Sequence, residues 1–397
     1  MRVTKKYLAP ALIASLGIAL AGCAPTSGPS NEGADLAPVS VAIITSQTGP
    51  LAAYGEAYLA GFDAGLDYAT DGTGTVDGRE LDITITDDAG DVDKAVTAAK
   101  DAIGQGIQIL AGTVSSGVAL ALAEQADQNK VLYISGPAAA DAITGINKYT
   151  FRSGRQTYQD VATAGTFVGD PAGKKVLVFA QDTAFGQGNL AGVTAVLGGQ
   201  GATVSSVLVP EDATEFTPFA QQIVDAAPDL VFVAWAGATS GAMWEALTQQ
   251  GVFDAAPVVT GLGDISTYGA YGAASENISF LNHYFAGATD NAVNTAMIER
   301  LQAAGHEADL FSPDGFVAAQ MLVQAIRAGG GDSVDDMIAS LEGYTFDAPK
   351  GSITIRAEDH AVIQPMFQVK LVADGDSFVP ELVKTVDATT VAPPVAQ

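Results

Sequence analysis

Ile107-Gln-Ile-Leu-Ala-Gly-Thr-Val-Ser-Ser-Gly-Val-Ala-Leu-Ala-Leu-Ala-Glu124 is the stretch whose reading decides the fold. It reads as a short buried strand over Ile107–Ala111, a tight turn, and a helix starting near Ser115. Gly112 and Gly117 stand around the paired hydroxyls of Ser115 and Ser116 in that turn. Glycine lets the backbone come close to a ligand, and serine is a preferred N-cap. A helix start presents unpaired N–H groups at a positive dipole end. The turn can therefore hold a small carboxylate without any cationic side chain. The plainer alternative is that Ser115 or Ser116 only caps its own helix.

The same alternation extends on both sides. Upstream, Val39–Thr45 is a buried strand, Thr48-Gly49-Pro50 turns it, and Ala53–Ala69 follows as a helix. Leu81–Thr86 alternates as a strand and runs into the acidic stretch Asp87–Asp93, with a helix over Lys94–Ile103. Downstream come a helix over Val118–Gln128, a strand over Val131–Ile134, and the loop Ser135–Asp141. Strands alternating with helices specify a parallel sheet covered on both faces, with ligands bound at the carboxyl ends of its strands. A second set follows Phe151: strands at Val176–Phe179, Thr203–Leu208, Asp229–Trp235 and Val258–Thr260, with the loop Gln181–Gly188 followed by a helix to about Leu197, and helices over Phe216–Ala226 and over Ser240–Gln250. The chain is therefore α/β, with two doubly wound parallel sheets. Further helices are expected over Ala292–Ala304, Gly315–Ala328 and Ser333–Leu341. Ser352–Ile355 and Met366–Val372 read as a late hairpin, and the tail after Asp387 should fray.

The first residues carry an export signal. Lys5 and Lys6 precede the apolar run Leu8–Leu20, which is shorter than the roughly 20 apolar residues of a membrane span. Residues 1–22 thus read as a signal peptide and 23–38 as a flexible Pro/Gly/Ser/Asn-rich tether. Leu20-Ala-Gly-Cys23 resembles the bacterial lipobox, which implies lipidation at Cys23, the one cysteine of the chain. The mature protein then has no thiol for a disulfide, catalysis or a metal. A formal charge of −27 repels phosphate backbones and excludes nucleic acid as a partner.

Other motifs weigh little. Gly186-Gln-Gly188-Asn-Leu-Ala191 has the spacing of a dinucleotide fingerprint, but Gln181–Phe185 separate it from the preceding strand. Asp87–Asp93 lacks the spacing of a Ca²⁺ loop and suits capping of the next helix. His283, His306 and His360 are scattered, and the Gly-x-Ser-x-Gly, His-Glu-x-x-His and Walker patterns are absent. No cofactor, metal or enzyme activity is expected. Tyr54, Phe185 and Trp235 each lie at or past a strand's carboxyl end, where they can wall a shared cleft.

Thr48-Gly-Pro-Leu-Ala-Ala-Tyr-Gly55, Asp87-Asp88, Val114-Ser-Ser-Gly117, Phe151-Arg152, Phe185-Gly-Gln-Gly188 and Ser352-Ile-Thr-Ile-Arg-Ala-Glu-Asp-His360 together resemble the Leu/Ile/Val-binding proteins of ABC transporters. The resemblance runs from about Val39 to Val372 and implies a type I periplasmic-binding fold. It places residues 39–154 and 287–348 in one lobe, 155–286 and 349–385 in the other, and 386–397 in a disordered tail. Three crossings are implied, near Arg152–Thr157, Tyr284–Ala288 and Phe346–Gly351. Ser115 matches the family's carboxylate-binding hydroxyl, with Ser116 beside it. Tyr54 and Phe185 match aromatics of the side-chain pocket. Ala138-Ala139 stand where the family has Ala-Thr, so a hydroxyl that helps hold an ammonium is missing. Asp264 is the nearest replacement for the acidic ammonium partner, whose register falls on Leu262.

The resemblance implies a lipid-anchored, extracytoplasmic and monomeric solute-binding protein that delivers a small carboxylate to an ABC permease. Ser115 and the following amides would hold the carboxylate, Asp264 any amine, and Tyr54, Phe185 and Trp235 the apolar part. Arg155 is a second candidate contact for an anion. An amino acid and an aromatic or other organic acid both stay open. So do two rivals: a sensory module of the same fold, and an exported hydrolase built on Ser115 or Ser116.

Overall fold

The computed structural model describes residues 37–375 and 377–396; the expected signal peptide and Cys23 lie outside them. The first lobe begins with β1 (Val39–Thr45), α1 (Ala52–Ala69), β2 (Thr75–Val76), β3 (Arg79–Asp87) and α2 (Val92–Gly104). β4 (Ile109–Gly112), α3 (Ser116–Asn129), β5 (Leu132–Ser135) and β6 (Thr150–Arg152) complete this segment. The chain then crosses to α4 (Thr157–Val168), β7 (Lys175–Gln181), α5 (Ala184–Val193), β8 (Thr203–Val209), α6 (Thr217–Ala226) and β9 (Leu230–Ala234). The second lobe continues with α7 (Ser240–Gln249), α8 (Val252–Ala255), β10 (Val258–Gly261), α9 (Tyr268–Tyr271) and β11 (Ile278–Asn282). It returns through α10 (Ala292–Ala303), α11 (Ser312–Gly329), α12 (Val334–Leu341), β12 (Thr345–Ala348), β13 (Gly351–Ile355) and β14 (Val362–Ile363). β15 (Met366–Asp374) and β16 (Ser377–Val386) end the fold.

The first sheet has the order β2-β3-β1-β4-β5-β6, and the second β16-β15-β11-β10-β9-β7-β8. Both are parallel at their centres, from β3 to β6 and from β11 to β8. Their central strands are apolar on both faces, as a covered parallel sheet requires, and β4 and β9 are buried throughout. In the first lobe α1 and α11 lie against each other at backbone contact. A Cβ at Gly61 would stand 1.9 Å from the Ser312 carbonyl oxygen, and one at Gly315 1.9 Å from that of Tyr58. This approach brings the start of α11 beside α1, where Tyr54 meets Phe311 edge-on with ring centroids 4.7 Å apart.

The end of the chain departs from expectation. Ser352–Ile355 and Met366–Val372 do not pair with each other. β13 pairs antiparallel with β12 and β14 in a small sheet whose apolar residues join the first lobe's core. β15 pairs with β11 and with β16, in the second sheet. The third crossing therefore lies at Gln364–Pro365, and Phe346–Gly351 is strand and turn. β16 escapes detection because its residues are mostly exposed and Pro380 interrupts it, which only an edge strand tolerates. The tail expected to fray is held down instead. Val391 is fully buried, Arg356 donates to the carbonyls of Pro393 and Pro394, and the Ala396 amide donates to Asp359. No helix among the described residues is long and apolar enough to cross a membrane.

Candidate functional site

The carboxyl ends of the two sheets face each other across a cleft of about 510 Å³. On the first lobe its wall is the turn from β4 into α3. Gly112 has φ +102°, and a Cβ there would lie 2.0 Å from the Ile44 carbonyl oxygen, so only glycine fits. The buried carboxylate of Asp88 ties the neighbouring strand ends together: it accepts the hydroxyls of Thr113 and of Ser46 (2.6 Å) and the Gly90 amide (2.8 Å). The rest of the acidic run is turn and cap. Asp87 takes the Thr48 hydroxyl at 2.6 Å, which with nearby amides lowers its carboxyl to about 2. Asp91 caps α2 through the Lys94 amide.

Ser115 is the N-cap of α3 in extended conformation, yet its hydroxyl makes no capping bond. No hydrogen bond from the described residues engages the amides of Ser116 and Gly117. A free hydroxyl and free amides at the start of a fourteen-residue helix thus line the cleft. They can receive an anion by N–H and O–H donation alone. Ser116 also lines the cleft, but its hydroxyl oxygen accepts the Ala140 amide at 3.2 Å. Ala139 faces the cleft, whereas Ala138 is fully buried in a small core with Ala119, Ala140 and Ile143 and is not part of the lining.

The second lobe supplies an aromatic wall. Trp235 stacks on Phe179 and meets Phe216 edge-on, both at 5.3 Å, and its indole N–H donates to the Thr239 hydroxyl at 3.0 Å. Those three contacts fix the ring. Phe185 lies in the first turn of α5, which Thr183 caps. Asp264 does not line the cleft. Its Oδ1 is taken up by its own turn, accepting the hydroxyls of Ser266 and Thr267.

Three polar links close the mouth between the lobes. The Gly237 amide donates to the Tyr54 hydroxyl oxygen at 3.1 Å, the Ala238 amide to the Pro50 carbonyl at 3.0 Å, and the Ile265 amide to Asp309 at 3.2 Å. Burial raises the Tyr54 phenol well above its ordinary range, so it stays neutral. Burial also pushes Asp309 up to about 6, and the nearby Asp264 charge adds to the effect.

Where the crossings meet, Arg155 lines the cleft and pairs with Asp160 at 3.3 Å. It also donates to the Pro137 carbonyl at 3.1 Å and stands 5.7 Å over the Phe311 ring. Burial raises Asp160, against the pull of Arg155. Burial keeps His283 neutral, with Arg155 and Lys350 adding to the shift. Of the lining residues, Phe311, Asn282 and Gln181 were not singled out in the sequence. Phe311 had a signal: Pro313 sits at the helix start, which moves the start of α11 to Ser312 and puts Phe311 at its N-cap.

A family model described as periplasmic binding protein matches residues 38–376. The Leu/Ile/Val-binding protein homolog 3 of Brucella melitensis is 24% identical over 344 residues, covering 85% of this chain and 92% of its own. The solved structure of an ABC-type branched-chain amino acid transporter protein from Rhodopseudomonas palustris is 31% identical, with a TM-score of 0.74, covering 90% of this chain and 99% of its own. A solute-binding protein from R. palustris in complex with 4-hydroxybenzoate shares the fold at 21% identity, with a TM-score of 0.80 and coverage of 88% and 97%.

Proposed function

The chain belongs to the periplasmic binding protein family, and from that premise we propose that it captures a small carboxylate between its lobes and passes it to an ABC permease. One observation carries the choice of ligand class: the uncommitted Ser115 hydroxyl and the Ser116 and Gly117 amides, gathered at a helix start inside a closing cleft. Relatives are named for Leu, Ile and Val and for 4-hydroxybenzoate, ligands that share a carboxylate and differ in nearly everything else. The helix start fits the shared group, and Tyr54, Phe185 and Trp235 suit an apolar body.

Closure follows from population shift. A ligand bridging both lobes favours the closed state because the open state offers it half the contacts. The three polar links at the mouth add to that preference without involving the ligand. The family acts outside the cytoplasm; attachment through a lipid at Cys23, and action as a monomer, are parts of the proposal.

A thermal-shift screen of amino acids and of aromatic and aliphatic acids tests it. A ligand at a thousand times its Kd stabilises the fold by about 4 kcal/mol. Ser115→Ala should then weaken the best ligand by about 10- to 100-fold, the loss of a hydrogen bond to a charged group. The melting temperature of the free protein should stay nearly unchanged, because the hydroxyl has no partner among the described residues. Undiminished affinity in the variant would place the carboxylate elsewhere.

A further inference from the structure

The acids that line the cleft are engaged or solvated. Asp160 pairs with Arg155, and Asp264 is held in its own turn. Asp309 accepts the amides of Leu310 and Ile265, and Asp91 caps α2. Glu211 stands exposed at the rim, where water solvates it. Among the lining acids Asp91, Asp160 and Glu211, an α-ammonium entering this cleft meets no unpaired buried carboxylate.

Donors are in the opposite position. Arg155 is nine-tenths buried and uses Nε and Nη1 on Asp160 and Pro137, which leaves Nη2 without a protein acceptor among the described residues. Asn282, at the end of β11, is 2% exposed. Its Oδ1 accepts the Tyr284 amide, which fixes the amide orientation, and its Nδ2 has no partner among the described residues. A buried donor left unmade is costly, and an acceptor brought by a ligand relieves that cost. Both residues line the same cleft as Ser115.

We infer that the cleft selects acids that carry a second hydrogen-bond acceptor and no α-ammonium, with Arg155 and Asn282 as the second anchor beside the Ser115 helix start. This rests on the carboxylate reading and narrows it. Arg155 and Asn282 both sit where the chain crosses between lobes, so a ligand held there engages the hinge as well as the walls.

Calorimetry on the mature full chain with two matched pairs of probes decides it. The first pair is benzoate and 4-hydroxybenzoate, and the second is L-leucine and its des-amino analogue 4-methylpentanoate. The expected order has 4-hydroxybenzoate tighter than benzoate by about tenfold, and 4-methylpentanoate tighter than L-leucine by a similar factor. Asn282→Asp keeps the acceptor for Tyr284 and removes the donor. The new charge repels both acids alike, so the variant should lower 4-hydroxybenzoate affinity by about tenfold more than it lowers benzoate affinity. The wild-type ranking stands even where that variant folds poorly. Tighter L-leucine, or equal binding of the two benzoates, overturns the inference and leaves the carboxylate reading intact. Silence from all four probes sinks the carboxylate reading itself.

Discussion

Among the turns that face the cleft, those after β4 and after β10 each offer a polar N-cap in extended conformation: Ser115 with φ −83° and ψ 124°, Asp264 with φ −67° and ψ 165°. By residue type Asp264 is the stronger polar group, yet Ser115 is the one left free. The difference lies downstream. Asp264 is followed by Ser266 and Thr267, whose hydroxyls reach back to it, while Ser115 is followed by Gly117 and Val118, which bring no side-chain donor. Behind Asp264 a three-residue 3-10 turn passes into the four-residue α9, whereas α3 behind Ser115 runs for fourteen continuous α-helical residues and has a well-formed dipole. Whether a cap can serve a ligand is thus decided by positions two and three beyond it and by the helix length.

The harshest way to break this comparison is to deform the first turn. Gly112→Ala sets a Cβ against the Ile44 carbonyl and forces a side chain into positive φ. We expect a loss of about 3 kcal/mol or more in urea unfolding, with ligand binding impaired. A variant as stable as the parent would show that this turn is not rigidly held.

A smaller effect tests the second turn through its link to the first lobe, where the Ile265 amide meets Asp309. Burial raises Asp309 from 3.8 to about 6, so the folded protein holds that proton more tightly than the unfolded chain does. Ionising Asp309 above about pH 6 therefore costs stability. The cost is relieved as pH falls through about 6 towards the unfolded value of 3.8. At about 1.4 kcal/mol per pKa unit the full effect is on the order of 2–3 kcal/mol. Asp309→Asn should shrink the gain in unfolding midpoint between about pH 7.5 and about pH 5. An unchanged gain would assign that titration to other carboxylates.

Much of this architecture is written in periodicity. β1, α1 and the strand–turn–helix at Ser115 are legible because a parallel sheet covered on both faces makes continuous apolar runs, and the Gly112 turn punctuates them. β16 and the pairing of β13 are not, since edge exposure and partner choice leave no local trace. In the site, Ser115, Tyr54, Phe185 and Trp235 fall on the cleft because strand ends can be counted from sequence. Asn282 and Phe311 reach it only when the crossings fold back. Ala138 and Ala139 show the limit of counting: adjacent residues, one in the core and one at the cleft.

The mildest prediction is the sharpest test of the comparison. Asp264→Asn keeps an oxygen for Ser266 and Thr267, so its cost in stability should stay near 1 kcal/mol or less. Ligand affinity should change by no more than about twofold, because Asp264 does not line the cleft. One readout should move: with the Asp264 charge gone, a cause of the raised Asp309 value is removed, and its titration should shift to lower pH. Should the variant instead lose binding of an amine-bearing ligand by tenfold or more, the two turns act alike, and the distinction between a satisfied cap and an open one fails here.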